Sequence, residues 1–161
     1  MKPVFEDDFW NITLHWSKPI SYERARDEGS HYDEQANLYM ISAKYSSNSH
    51  KALYFGKTFK QDIQTRLNQT DHRNRYSGIV KKYPNHKIFV RYGTVTITGG
   101  KFTKARLSAL ENILIYCSDG DHCHNVKSVY SHSITDSYQI INTGSRGPLP
   151  KLLAFGFFQR G

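Results

Sequence analysis

Six side chains of this sequence are of types that can do chemistry together: Tyr39, Tyr54, Lys57, Arg66, His72 and Glu111. Hydrolysis of a phosphodiester needs an activated water, neutralisation of the phosphate charge and help for the departing oxygen. Phenols, cations and one carboxylate can meet those needs. A tyrosine with its ordinary pKa of about 10 is a poor base unless nearby cations lower the cost of losing its proton. Lys57, next to Gly56, and Arg66 supply such charge, while His72 lies close to them in sequence. Glu111 can hold one divalent cation, most naturally Mg²⁺ with several waters retained, or Mn²⁺. A single firm carboxylate speaks against a two-metal mechanism. Each residue also has a plain reading: the tyrosines as aromatic groups on half-buried strands, Gly56 as a bulge or close-approach position, and Glu111 as the polar border of an amphipathic helix.

The elements that must position these groups follow from pattern. Asn37 to Ser42 and Leu53 to Thr58 are short apolar-aromatic runs flanking the turn formers Ser46-Ser47-Asn48-Ser49-His50, which predicts a β-hairpin with a long polar connection. Phe59, Ile63 and Leu67, four apart, predict one side of a helix that also carries Arg66. Two tyrosines on paired strands and an arginine on the next helix can then converge on one pocket. Arg73 to Tyr83 is dense in basic and aromatic side chains and ends at Pro84-Asn85. The alternating, β-branched run Lys87 to Ile97 predicts a third strand, broken by Gly99-Gly100. Thr103 is a fitting N-cap for a helix through Tyr116, whose stripe of Leu107, Leu110, Ile113 and Leu114 packs it on the sheet. Ser137 to Asn142 and Leu152 to Phe158 read as further strands. The fold class expected is α/β (α+β), a small mixed or mostly antiparallel sheet flanked by helices. Residues 1–36 read as an N-terminal extension, a strand or short helix packed on the core, and 37–161 as the main domain with a C-terminal strand extension.

Leu38-Tyr39 and Tyr54-Phe55-Gly56, followed by Arg66, Glu111 and Asn125, resemble the two half-motifs and the later site residues of the GIY-YIG nuclease superfamily. The likeness covers roughly Asn37 to Ser128. It implies a small stand-alone, metal-dependent DNA endonuclease domain of restriction, mobile-element or repair type. By that resemblance Tyr39 is the general base for the attacking water and Tyr54 supports it or orients the phosphate. Arg66 stabilises the phosphate charge, Glu111 ligates the metal, and Lys57 and His72 lie near the motifs. Self-association is implied for cutting both strands. Asn37 stands where the family usually has glycine, a departure that feeds an alternative: a degenerate domain that binds nucleic acid without cleaving it.

Charge agrees with a polyanionic partner. The 161 residues carry a formal +8 at pH 7 and a sequence pI near 9.5, and each phosphate neutralised releases counterions. The first 36 residues hold eight Asp or Glu and are net acidic, so the remainder carries more than the whole excess. Lys81, Lys82, Arg91, Lys101 and Lys104, interleaved with Tyr76, Tyr83, Tyr92 and Phe102, read as a basic face suited to DNA, with Asn125 added by the resemblance. Mean hydropathy is −0.63, and no apolar run approaches a membrane span. Acidic residues where an export signal needs an apolar core, together with two cysteines that make no disulfide framework, predict a cytoplasmic, reduced chain. Cys117, His122, Cys123 and His124 place four zinc-type donors within eight residues, at a spacing that matches no common zinc template; a solvated loop is the better reading.

Overall fold

The structure, a computed structural model, describes residues 9–33, 35–45, 49–117 and 137–155. The described elements are β1 (Phe9–Trp16), β2 (Ile20–Ser21), α1 (Tyr22–Asp27), β3 (Leu38–Lys44), β4 (His50–Lys57), α2 (Ile63–Leu67), α3 (Thr70–Lys82), β5 (Lys87–Thr98), α4 (Lys104–Cys117), β6 (Ser137–Gly144) and β7 (Leu152–Phe155). The strands form one mixed sheet in the order β4-β3-β5-β1-β6-β7, with β2 paired to β5. Neighbours run antiparallel except β1 and β6, which are parallel. The α+β architecture expected from the sequence is thus observed. No helix among the described residues is long and apolar enough to cross a membrane.

The hairpin β3–β4 forms in a register that pairs Tyr39 with Gly56 and Ile41 with Tyr54. Its register then skips Leu53, so Ser42 meets Ala52. Such a bulge puts two successive residues on one side of a strand, and Leu53 and Tyr54 do pack in the same cluster. The N-terminal segment is woven into the sheet rather than laid over it: β1 runs between β5 and β6. There Trp16 donates its indole N–H to Asn142 Oδ1 at 2.9 Å.

Because side chains alternate along a strand, the sheet has two chemically different faces. Leu38, Met40 and Phe55, with Ile12, Leu14 and Trp16 of β1, pack under Leu107, Leu110, Ile113 and Leu114 of α4. Tyr39, Ile41, Tyr54, Val90 and Tyr92 point the other way, against Tyr22 and Ala25 of α1, Ile63 and Leu67 of α2 and Ile79 of α3. The helix starts have identifiable causes. Thr103 Oγ1 accepts from Arg106 N at 3.2 Å ahead of α4, and Asp62 Oδ1 accepts from Thr65 N at 2.6 Å to cap α2. α2 begins at Ile63, so Phe59 lies before the helix rather than on it. α3 lacks an apolar stripe; its buried residues are His72 and Ile79. It is held by what those two residues meet, with Lys81 and Lys82 suited to the negative end of its dipole.

Candidate active site

The site is built around Tyr39, whose side chain is fully enclosed at 0% exposure. Its ring lies across the backbone of the neighbouring strand. A Cβ at Gly56 would fall 2.1 Å from Tyr39 Cζ and 2.3 Å from its hydroxyl oxygen, so glycine is required there for space rather than for backbone conformation. The hydroxyl sits 2.8 Å from His72 Nε2. Tyr54, two residues before Gly56, has its ring centroid 6.0 Å from that of Tyr39. His72 meets Tyr54 edge-on, at 5.5 Å and 86°. Strands of one hairpin supply both phenols, and α3 supplies the imidazole between them.

Cations surround this trio. Arg66, on α2, is gripped by Asp71, with Nη1–Oδ1 and Nη2–Oδ2 both 3.0 Å, and also donates to Gln69. Arg75, one turn beyond His72 on α3, lays its guanidinium 4.4 Å from the Tyr54 ring centroid, within cation–π range. On the other face, α4 brings Glu111 to Lys57, the last residue of the end strand β4, with Nζ–Oε2 at 2.5 Å. Although α4 packs opposite α2 and α3, the charge of Glu111 still acts on both phenols.

The electrostatics follow from enclosure. Burial pushes Tyr39 well above 10, Tyr54 and Glu111 add to the rise, and Arg66 opposes them. Tyr54 is raised by burial too, but Arg75 and Arg66 both pull against that rise. Burial first, then Arg66 and Arg75, lowers His72 from its ordinary 6.5 to about 4, so the imidazole is neutral at pH 7. Its Nδ1 is buried without a hydrogen-bond partner. An orphaned N–H is rarer in folded proteins than an orphaned acceptor, which favours the tautomer whose Nε2–H donates to the Tyr39 oxygen. A donor aimed at that oxygen stabilises a phenolate when one forms.

Glu111, 14% exposed, is the carboxylate that would hold a metal ion, and in this structure the Lys57 ammonium occupies its Oε2. Among the described residues no three His, Cys, Asp or Glu converge as a ligand group. One carboxylate suits Mg²⁺ or Mn²⁺ keeping most of its water, and does not suit a closed zinc site.

Of the six sequence-derived candidates, Tyr39, Tyr54, Arg66 and His72 lie on one side of the sheet, whereas Lys57 and Glu111 pair with each other on the α4 side, against the expectation that all six line one cavity. The proposed basic face fares differently. Arg91 is 3% exposed and donates to Ser42 Oγ at 3.0 Å, so it offers no surface charge. Lys81 and Lys82 close α3, whereas Lys101 and Lys104 flank the start of α4. All four are exposed, but α3 and α4 pack on opposite sheet faces, so they make two pairs rather than one stripe. Cys117 ends α4, exposed and free. Asn125, His122, Cys123 and His124 lie outside the described residues. Sequence reasoning missed Arg75 and Asp71. The signal for Arg75 was its spacing of three from His72, which has meaning only on a helix.

Compared with protein-family models, curated proteins and solved structures, the chain matches none.

Proposed function

We propose that this protein is a metal-dependent DNA endonuclease of GIY-YIG-like design, cleaving phosphodiester bonds with a water activated by Tyr39. The observation that carries this reading is the crossing of Tyr39 over Gly56 onto His72, beside Tyr54 and within the fields of Arg66 and Glu111. A phenol serves as base here because a developing phenolate finds a donor in His72 Nε2–H and a nearby cation in Arg66. Tyr54 flanks the reacting volume, and Arg66, fixed by Asp71, contributes positive charge without reorganising. A divalent ion on Glu111 would supply Lewis-acid neutralisation of the phosphate when bound. Lys57, already in contact with that carboxylate, holds it in position. A dimer would be the form that cuts both strands, and the chain's place is the reducing cytoplasm.

One observation favours the second reading, a domain that binds DNA without cutting it. Tyr39 is sealed from solvent and strongly disposed to keep its proton. The decisive experiment is incubation with supercoiled plasmid and Mg²⁺ or Mn²⁺, beside Tyr39→Phe and Glu111→Gln. Nicking lost in both variants supports the nuclease. Tight binding with no nicking by the unaltered protein, under either metal, establishes the binder instead.

A further inference from the structure

The two guanidinium groups beside the phenols are in different states. Arg66 spends both arms of its fork on Asp71 and a further bond on Gln69. Arg75 has no such commitment: its Nη1 is buried and makes no hydrogen bond. Among the described residues its marked contact is the face of the Tyr54 ring, 4.4 Å away. A buried guanidinium donor left without an acceptor costs on the order of 1–3 kcal/mol. An acceptor that arrives with a ligand is one of the explanations for a charged donor in that condition. The planar fork of arginine matches phosphate oxygens two at a time.

Position adds to this. His72 and Arg75 stand three apart on α3 and so share one side of it; His72 touches Tyr39 while Arg75 covers Tyr54. Beyond Arg75 the same helix borders an open cleft of about 350 Å³ lined by Tyr22, Arg26, Asp27, Arg73, Tyr76 and Ser77. Tyr22 and Tyr76 stack there in parallel, with centroids 4.0 Å apart. Arg26 lies 5.9 Å from the Tyr76 ring. The cleft has the volume and the aromatic lining of a nucleotide subsite, with Arg73 as its cation, since Arg26 is bound to Asp27 at 2.8 Å and Tyr76 donates to Glu23.

We propose that Arg75 is the guanidinium that contacts a substrate phosphate directly, at the junction between the phenols and the α1–α3 cleft, which takes the adjoining nucleotide. The assignment rests on the nuclease reading for its substrate class, but not for its test. Arg66 then acts as a positioning residue, held by Asp71 as a fixed source of positive field. Arg75 is the group that changes partners when DNA arrives.

The test uses deoxythymidine 3′,5′-bisphosphate, which carries two phosphates on one nucleoside, and a short DNA duplex, both without metal. Binding is followed through the tyrosine ring resonances by NMR and by fluorescence anisotropy. Arg75→Gln is expected to weaken bisphosphate binding at least tenfold and to lower the salt slope of duplex binding by about one. Arg75→Lys, which keeps the charge but loses the fork, should fall between. An unchanged circular dichroism spectrum and melting temperature in the free Arg75→Gln and Arg75→Lys proteins show that the fold survives. If the unaltered protein nicks plasmid, Arg75→Gln should raise KM more than it lowers kcat.

Arg75→Gln binding the bisphosphate and the duplex as the unaltered protein does would overturn the assignment, even if cleavage is robust. No bisphosphate binding by the folded, unaltered protein would overturn it equally. Weakened binding in Arg75→Gln, in a protein that never nicks DNA, keeps the assignment and removes the nuclease.

Discussion

The same strands serve two unlike faces. Leu38, Met40 and Phe55 look into hydrocarbon under α4, where the buried cluster is almost entirely aliphatic and aromatic carbon. Tyr39, Tyr54 and Tyr92, one residue out of phase, look toward α1, α2 and α3, where hydroxyls, imidazole and guanidinium are shut away from water. The first face is what stability alone asks for, since apolar area removed from water is favourable without further condition. The second is costly, because each polar atom enclosed needs a partner. Tyr22 Oη, Tyr92 Oη, His72 Nδ1 and Arg75 Nη1 are enclosed without one. The division is incomplete, since Arg91, in phase with Met40 on the α4 side, also encloses its Nε without a partner, and Lys57 pairs with Glu111 on that side.

Substitutions can break that division of labour, in descending order of effect. Tyr39→Phe should reduce plasmid nicking about 10²–10⁴-fold per folded molecule, the usual worth of a positioned acid–base group, and, by taking the partner of His72 Nε2, cost about 1–3 kcal/mol of stability. Gly56→Ala should do similar damage by another route, because the new methyl occupies the place of the Tyr39 ring; the Tyr39 and His72 resonances would move with it. Leu114→Ala, under the other face, should instead cost about 2–5 kcal/mol in urea unfolding and leave nicking per folded molecule unchanged. Activity lost in step with stability for all three would mean that the faces are not separable.

A pH series sharpens the comparison further. His72 in the folded chain titrates near 4, against its ordinary 6.5. Between those values the unfolded chain binds the extra proton, so stability rises with pH there. The contribution of His72 is complete above about pH 6.5 and is lost as pH falls toward 4, at up to about 1.4 kcal/mol per pH unit. Urea midpoints measured from pH 7 to 4 should show this slope, and His72→Gln should remove the share of His72, leaving that of His50, which burial also lowers to about 4. The smallest effect is expected at Lys82, exposed at the end of α3. Lys82→Ala should leave stability within about 0.5 kcal/mol and lower the salt slope of DNA binding by about one.

Much of the fold could be read from local pattern, and the failures have local causes. The hairpin, the strand from Lys87 and the helix after Thr103 show their periods openly, because each buries a regular row of large side chains. α3 hid because its buried side holds one histidine and one isoleucine amid polar residues and Gly78, so periodicity had nothing to register. β1 showed its alternation of Trp10, Ile12, Leu14 and Trp16, but not its place. Its partners are residues 93–98 and 137–144, far off in sequence, and no short window records pairing at that range. The site divides likewise. Residue types and order pointed to Tyr39, Tyr54 and Glu111, whereas the grip of Asp71 on Arg66 and the seat of Arg75 on Tyr54 depend on a helix that the pattern concealed. Arg91 misled because a basic residue on an alternating strand reads as surface, and here the pleat turns it inward.

The parallel pairing of β1 with β6 has a consequence for how the chain comes into being. On a ribosome the phenol-bearing hairpin and its helices emerge long before Trp16 can find Asn142, 126 positions later. Until then β1 has one neighbour at most and α4 covers an unfinished floor. Such late closure slows folding. Synthesis halted between α4 and β6 should therefore yield a chain that holds nearly every reactive group and captures a chaperone rather than its substrate.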